Sequence, residues 1–188
     1  TLPKDYLASQ GLDAEAEEER RDLLLAHWQR AERAPVLDLL AKPDAAAAVV
    51  LGDPGAGKSS LTRYLVLRLL DPPAEGGELP AWHKSLGDRL PLLVELRDYI
   101  AREAEGRCTD LLGFLAYLGE HQGLGFTRPQ LEQALTREPT LLILDGLDEI
   151  FETGARSRIA REIVGLGARW PNARVLVTSR IAGFDAHP

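Results

Sequence analysis

The stretch LGDPGAGKSS, at Leu51–Ser60, holds three glycines, a lysine and two serines within ten residues. It fits the pattern of glycine, four residues, glycine, lysine and serine or threonine, which is typical of loops that bind nucleotide phosphates. Glycine allows backbone turns that a side chain would block, so successive amide N–H groups can point at phosphate oxygens. We predict that the loop contacts a nucleotide through Gly52, Asp53, Pro54, Gly55, Ala56, Gly57, Lys58, Ser59 and Ser60.

The residues on either side of the loop support this interpretation. Ala46–Leu51 is an apolar run without alternation, which predicts a strand buried on both faces. Lys58–Leu70 predicts a helix that is apolar on most of its circumference, and the positive N-terminal end of such a helix favours anions. We expect Lys58 to reach the β and γ phosphates and the Ser59 hydroxyl to bind Mg²⁺.

A second motif, LLILDGLDE at Leu141–Glu149, combines an apolar strand with three carboxylates. Asp145 ends the strand, and ligands of open parallel sheets bind beyond the carboxyl ends of strands, so we predict that Asp145 holds Mg²⁺. Asp145, Asp148 and Glu149 would repel one another unless a cation lies among them. We expect Glu149 to activate an attacking water and Asp148 to assist the metal or the water.

A third motif, RVLVTSR at Arg174–Arg180, predicts a strand that ends in polar residues. If this strand lies beside the strand that precedes the glycine loop, its last residues point toward the γ-phosphate. We predict that Arg180 senses this phosphate and neutralises charge that develops during its transfer.

Apolar runs and helical patterns alternate along the chain, which predicts an α/β fold with a parallel sheet covered on both sides. The predicted strands lie at 46–51, 90–96, 141–144 and 174–178, and the main helices at 58–70, 110–120, 127–137 and 155–170. We expect the last helix to bury Ile159, Ile163, Val164 and Leu166. Asp71–Arg89 is predicted to be a surface excursion, because it begins with two prolines and two glycines in seven residues.

The first 44 residues differ in composition from the rest of the chain and carry six basic and ten acidic side chains. They predict a helical lead-in, made of a charged helix from about residue 13 to residue 33 and a short helix at 36–41. A break at 42–44 follows, and residues 45–188 are predicted to form the nucleotide-binding domain.

The composition limits which binding partners and which cellular compartment are expected. A net charge of −7 over 188 residues gives no electrostatic support for nucleic acid or an anionic membrane as a partner. Cys108 is the only cysteine, so no intramolecular disulfide can form, which indicates a reducing, cytoplasmic compartment. No run approaches the roughly 20 apolar residues of a membrane-spanning helix. The chain has no methionine and is expected to be a piece of a longer protein.

Four segments in this order and spacing, GDPGAGKSSL, PLLVELRDY, LLILDGLDEI and RVLVTSR, resemble the NACHT class of STAND nucleoside triphosphatases. In that family the acidic motif reads Asp, small residue, apolar residue, Asp, Glu, which Asp145–Glu149 match. The lead-in APVLDLL is also similar to bacterial NACHT proteins. The resemblance spans residues 35–185.

The resemblance implies a three-layer αβα P-loop fold with strand order 5-1-4-3-2, which would put Arg180 next to the phosphate loop. The chain stops near where the fifth strand would begin, and the family's winged-helix histidine cannot be assigned, since His187 is in the wrong place for it. Family members are signalling switches, often in immunity or cell death. They rest with ADP, exchange it for ATP and oligomerise, so the resemblance implies a homo-oligomer with effector and sensor domains outside this segment.

The leading hypothesis is therefore a slow Mg²⁺-dependent ATPase that acts as a regulatory switch and binds ATP or ADP. A motor-type AAA+ ATPase is the first alternative, and it would hydrolyse ATP fast and steadily. A GTPase is disfavoured because the guanine-binding sequence Asn-Lys-x-Asp is absent: Asn172 is the only asparagine, and Ala173 follows it. A nucleotide-stabilised scaffold without catalysis is the remaining alternative.

Overall fold

The computed structural model describes residues 34–42, 46–71, 79–123 and 125–180. The chain divides into two compact units, and the second begins at Val36. The sheet and its helices belong to this second unit. The charged helix predicted at residues 13–33 lies outside the described residues.

Within those ranges, four β-strands alternate with α-helices; the four predicted strands are present, and a helix at Leu96–Ala104, which was not predicted, directly follows the second strand. The strands are β1 (Ala47–Leu51), β2 (Leu90–Glu95), β3 (Thr140–Asp145) and β4 (Ala173–Ser179). The helices are α1 (Val36–Leu40), α2 (Lys58–Leu70), α3 (Ala81–Leu86), α4 (Leu96–Ala104), α5 (Leu111–His121), α6 (Arg128–Arg137) and α7 (Thr153–Arg169). A 3-10 turn at Leu147–Glu149 follows β3.

The strands form one all-parallel sheet in the order β1-β4-β3-β2. Leu51 lies opposite Ser179, and Glu95 lies opposite Asp145, so all four strands end at the same edge. All six residues of β3 are buried, as expected of a central strand covered on both faces. The α/β fold class is confirmed; no fifth strand pairs with the sheet in the described ranges, and the five-strand order stays a prediction.

Helices cover both faces of the sheet, and alternate residues of each strand point to opposite sides. In β3, Leu142 and Leu144 pack under α4–α7 in the larger core cluster. Leu141 and Ile143 pack on the other face with side chains of α1, α2 and α3. Two layers of helices therefore hold the carboxyl edge of the sheet in place. None of the described helices is long and apolar enough to cross a membrane.

The prediction of a surface excursion over 71–89 is wrong for its second half. Ala81–Leu86 forms α3, whose Trp82 and Leu86 are 5% and 0% exposed and belong to the core. The two side chains are four residues apart and therefore share one face of the helix. The prolines and glycines that suggested an excursion stand mostly at 72–77, outside the described residues.

Two predictions of burial are also wrong. β1 was expected to be buried on both faces, but Val49 is 42% exposed, because the larger core cluster covers β2, β3 and β4 and includes no β1 residue. Val164 is 73% exposed, whereas Ile159 and Leu166 are buried. In an α-helix of 3.6 residues per turn, position 164 is rotated away from the face that those two residues share.

Candidate functional site

The candidate site lies at the carboxyl edge of the sheet, where the loops that follow β1, β3 and β4 meet. The N–H of Gly52, directly after β1, donates a hydrogen bond to the Ser179 carbonyl at the end of β4, at 3.2 Å. The glycine loop therefore starts against the end of β4. Asp145 ends β3 on the other side of β4. Three of the sequence motifs thus come together at one edge.

The glycine loop is a tight turn followed by a helix. The Ala56 N–H donates to the Asp53 carbonyl at 3.1 Å. Pro54 occupies the second position of this turn, and Gly55, with a φ of 79°, occupies the third, as a type II turn requires. Gly57 has a φ of 83° and stands immediately before α2. Both glycines adopt a left-handed conformation that a side chain would strain.

This geometry leaves a row of backbone donors without protein acceptors. Among the described residues, the N–H groups of Gly55, Gly57, Lys58 and Ser59 donate to no backbone or side-chain oxygen. Three of them lie at the start of α2, where the first turn of any helix has unpaired N–H groups and a positive dipole end. Such an arrangement suits an anion with several oxygens, which is the chemistry of a phosphate chain.

The Lys58 side chain folds back over the glycine loop that precedes it. Its Nζ donates to the Gly52 carbonyl at 2.7 Å and is 3.3 Å from the Asp53 carbonyl. The cationic head is therefore beside the row of N–H donors. The Ser59 hydroxyl has no partner in the described part of the chain, while the Ser59 carbonyl accepts a hydrogen bond from the Thr62 hydroxyl at 2.9 Å. Ser60 is exposed on the first turn of α2.

Asp145 is held by a buried hydroxyl. The Thr178 Oγ1 donates to Asp145 Oδ1 at 2.5 Å and accepts a hydrogen bond from the Gly146 N–H at 2.9 Å. Thr178 is fully buried and Asp145 is 9% exposed. The sequence motif suggested that the polar residues at the end of β4 face the phosphate. Thr178 lies beneath the site instead and fixes one oxygen of Asp145, a role that only the pairing of β3 with β4 reveals.

Asp148 faces Arg180. The Arg180 backbone N–H donates to Asp148 Oδ1 at 3.0 Å, and the Arg180 Nε lies 2.7 Å from Asp148 Oδ2 in an ion pair. The Asp148 side chain is only 7% exposed, whereas that of Arg180 is 52% exposed. An ion pair with one buried carboxylate and an exposed guanidinium therefore stands at the end of β4.

The expectation that a cation lies among the three carboxylates stays a prediction. No three His, Cys, Asp or Glu side chains in the described ranges are grouped as a metal site. The pairing of Asp148 with Arg180 compensates the Asp148 charge without a metal. Glu149 is exposed at the end of the 3-10 turn, where its N–H donates to the Gly146 carbonyl at 3.0 Å.

The end of β2 adds an ion pair to this edge. Glu95 ends β2 opposite Asp145, and its Oε1 lies 3.2 Å from Arg63 Nη2 of α2. Both side chains are well exposed, at 41% and 65%, so the pair is worth about 1 kcal/mol at most.

No protein-family model matches this sequence. No curated protein matches it closely enough to indicate a relationship either. The geometry of the sheet edge and the motifs themselves therefore carry the functional argument.

The residues at the edge fit a magnesium–nucleotide complex. Mg²⁺ prefers hard oxygen ligands and is usually bound by one or two protein groups together with phosphate oxygens and waters. The Ser59 hydroxyl, which has no partner among the described residues, and the second oxygen of Asp145 are oxygen ligands of that kind. The protein does not need to supply every ligand of Mg²⁺. A site with few carboxylates can therefore still bind this ion.

Proposed function

We propose that this chain binds Mg-ATP at the carboxyl edge of its sheet and hydrolyses it slowly, as a regulatory switch of the NACHT type on a P-loop fold. The observation that carries the proposal is the loop 52–59, in which four N–H donors have no acceptor among the described residues and the Lys58 ammonium donates to the Gly52 carbonyl at the start of the loop. Asp145 ends β3 at the same edge, which provides the carboxylate that a phosphate-bound magnesium ion requires.

Each residue of the edge has a role in this mechanism. The loop N–H groups and Lys58 hold the phosphate chain, and Ser59 with Asp145 would hold a magnesium ion, which would offset negative charge on the phosphates. Glu149 accepts a proton from the attacking water while the water oxygen bonds to the γ-phosphorus and the bond to the ADP oxygen breaks. Arg180 neutralises charge on the γ-phosphate as it is transferred.

A switch is favoured over a motor by the resemblance of the four sequence segments to NACHT proteins. As a switch, the chain would exchange ADP for ATP and then assemble with further copies, with effector and sensor domains elsewhere in the same polypeptide. The negative net charge and single cysteine favour a cytoplasmic setting without nucleic acid as a partner of this segment.

The test is turnover and binding in the same preparation. The wild-type chain should bind both Mg-ATP and Mg-ADP far more tightly than Mg-GTP, and should hydrolyse ATP at about 10⁻² s⁻¹ or slower, as in nucleotide switches that carry their arginine in cis. Glu149→Gln should retain ATP binding in calorimetry and lose turnover, because an amide cannot accept the proton. Glu138→Gln, an exposed glutamate after α6, is the matched control.

Three results would contradict the proposal. Normal turnover in Glu149→Gln would remove Glu149 from the mechanism. Steady hydrolysis well above ~1 s⁻¹ would favour a motor. Tighter binding of GTP than of ATP would favour the GTPase.

A further inference from the structure

We propose that Asp148 is a positioning residue, which holds the Arg180 guanidinium at the phosphate edge and takes no direct part in metal binding. The inference rests on the proposed function, since it concerns how the same site distinguishes ATP from ADP. It differs from the sequence expectation that Asp148 assists the metal or the water.

Both carboxylate oxygens of Asp148 are already engaged by Arg180. Oδ1 accepts a hydrogen bond from the Arg180 backbone N–H, and Oδ2 forms an ion pair with the Arg180 Nε. The Asp148 side chain is 7% exposed, so it has little access to solvent or to an ion in solution. A buried carboxylate that loses its cationic partner bears an uncompensated charge, which makes exchange of Arg180 for water unfavourable.

Asp148 holds Arg180 at one side of the guanidinium. A guanidinium has five N–H donors, and the ion pair with Asp148 is at Nε. Within the described residues, neither terminal nitrogen, Nη1 or Nη2, has a partner. The side chain remains 52% exposed. The two terminal nitrogens are therefore free to form the paired hydrogen bonds that arginine makes with phosphate oxygens.

The Asp148–Arg180 pair lies at the centre of the sheet's carboxyl edge. Arg180 directly follows β4, the strand between β1 with its glycine loop and β3 with Asp145. Asp148 fixes both the backbone and the side chain of Arg180, so the guanidinium is held at this position before a nucleotide arrives. An arginine that is already ordered loses less side-chain entropy when it binds a phosphate.

The consequence concerns the γ-phosphate, which ATP has and ADP lacks. If Asp148 only positions Arg180, its removal weakens the preference for ATP over ADP and leaves the magnesium dependence unchanged. If Asp148 binds the metal, its removal raises the magnesium concentration required for turnover.

The experiment measures Mg-ATP and Mg-ADP affinities by calorimetry, and the magnesium dependence of turnover, in four variants: Asp148→Asn, Asp148→Ala, Arg180→Ala and the double variant Asp148→Ala/Arg180→Ala. Asn preserves the shape of Asp148, so this variant remains informative if Asp148→Ala fails to fold. Glu132→Gln breaks a surface ion pair with Arg169, at 2.6 Å, and is the matched control.

We expect Asp148→Asn to lower the ATP-to-ADP affinity ratio by roughly 10-fold, in the direction of Arg180→Ala, while half-saturation by Mg²⁺ stays at the wild-type value. The double variant should match Arg180→Ala alone, because the two residues act as a unit. Glu132→Gln should behave as wild type.

An unchanged ATP-to-ADP ratio in Asp148→Asn would overturn the inference, and so would a raised magnesium requirement or additive losses in the double variant. Tighter ATP binding in Asp148→Asn would also overturn it, since Asp148 would then be restraining Arg180. These results leave the proposed function intact as long as the wild-type chain binds Mg-ATP. A wild-type chain that binds no Mg-ATP would overturn both.

Discussion

Among single residues, Thr178 is the one on which the geometry of Asp145 depends most. Its hydroxyl contacts Asp145 Oδ1 and the Gly146 N–H at once, and the residue is fully buried. One oxygen of Asp145 is thereby fixed and the other is left for a ligand. Groups that orient a metal-binding carboxylate commonly matter nearly as much as the carboxylate itself.

Thr178→Val should therefore affect both stability and magnesium binding. The substitution keeps the shape but leaves a buried N–H and a carboxylate oxygen unpaired, so the free energy of unfolding should fall by about 1–3 kcal/mol. The magnesium concentration for half-maximal turnover should rise by about 10-fold. Urea denaturation and a magnesium titration measure the two effects.

Two controls separate these effects. Thr178→Ser retains the hydroxyl and should keep the wild-type magnesium dependence. Thr140→Val alters an equally buried threonine at the opposite end of β3, and should cost stability without changing the magnesium dependence. Equal magnesium dependence in Thr178→Val and Thr178→Ser would show that the hydroxyl does not position Asp145.

Among the elements, α5 shows how a polar side chain sets a helix boundary. Asp110 precedes the helix, and its Oδ1 accepts a hydrogen bond from the Gly113 N–H at 2.7 Å. Arg128 of α6 contacts both oxygens of the same carboxylate. The hydrogen bond from Arg128 lowers the pKa of Asp110, with a further contribution from the Gly113 N–H. One carboxylate thus links two helices.

This linkage predicts a pH-dependent contribution to stability. The folded-state pKa of Asp110 is below its ordinary value of about 3.9. The ionised carboxylate therefore makes its full contribution to the free energy of unfolding above the ordinary pKa, and this contribution is lost as the pH falls through the folded-state pKa. Asp110→Ala should lower the free energy of unfolding by about 1 kcal/mol at pH 7, because the helix loses its N-cap.

Asp110→Asn is the informative comparison, since it keeps a capping side chain without the charge. The difference in unfolding free energy between wild type and Asp110→Asn should shrink between about pH 5 and about pH 3. Urea denaturation across this range measures it. A difference that stays constant with pH would mean that the charge of Asp110 does not contribute.

The elements also show what the sequence could and could not predict. The strand at β3 and the helix at 58–70 were predicted correctly because a fully apolar run and a long helical pattern are local signals. The helix α3 was missed because its buried positions, Trp82 and Leu86, follow a segment rich in proline and glycine. The exposure of Val49 depends on which neighbours cover β1, which no local pattern records.

The candidate site was predictable to a similar extent. The glycine loop and Asp145 are recognisable from spacing alone, and pairing of the strands brings them to one edge. The partners of Asp148 and Asp145 were not predictable, because Arg180 and Thr178 lie 32 and 33 residues away along the chain. Contacts of this kind depend on the register of β3 against β4.

In the molecule as a whole, function is proposed to reside at one edge of a sheet whose two faces are packed with helices. The two core clusters hold the four strands in place. Loops that leave the same edge of such a sheet can be varied without disturbing the core, which is why binding sites of parallel sheets occur there. The central claim is that the loop 52–59 binds the phosphates of ATP.

That claim is tested most directly by calorimetric titration of Mg-ATP into wild type, Lys58→Ala and the exposed-lysine control Lys84→Ala. Saturable binding is expected for wild type and for Lys84→Ala. Lys58→Ala should lose at least about 10-fold in affinity, because a charge-assisted hydrogen bond to phosphate is worth about 1.5–3 kcal/mol. Undiminished Mg-ATP affinity in Lys58→Ala would contradict the account.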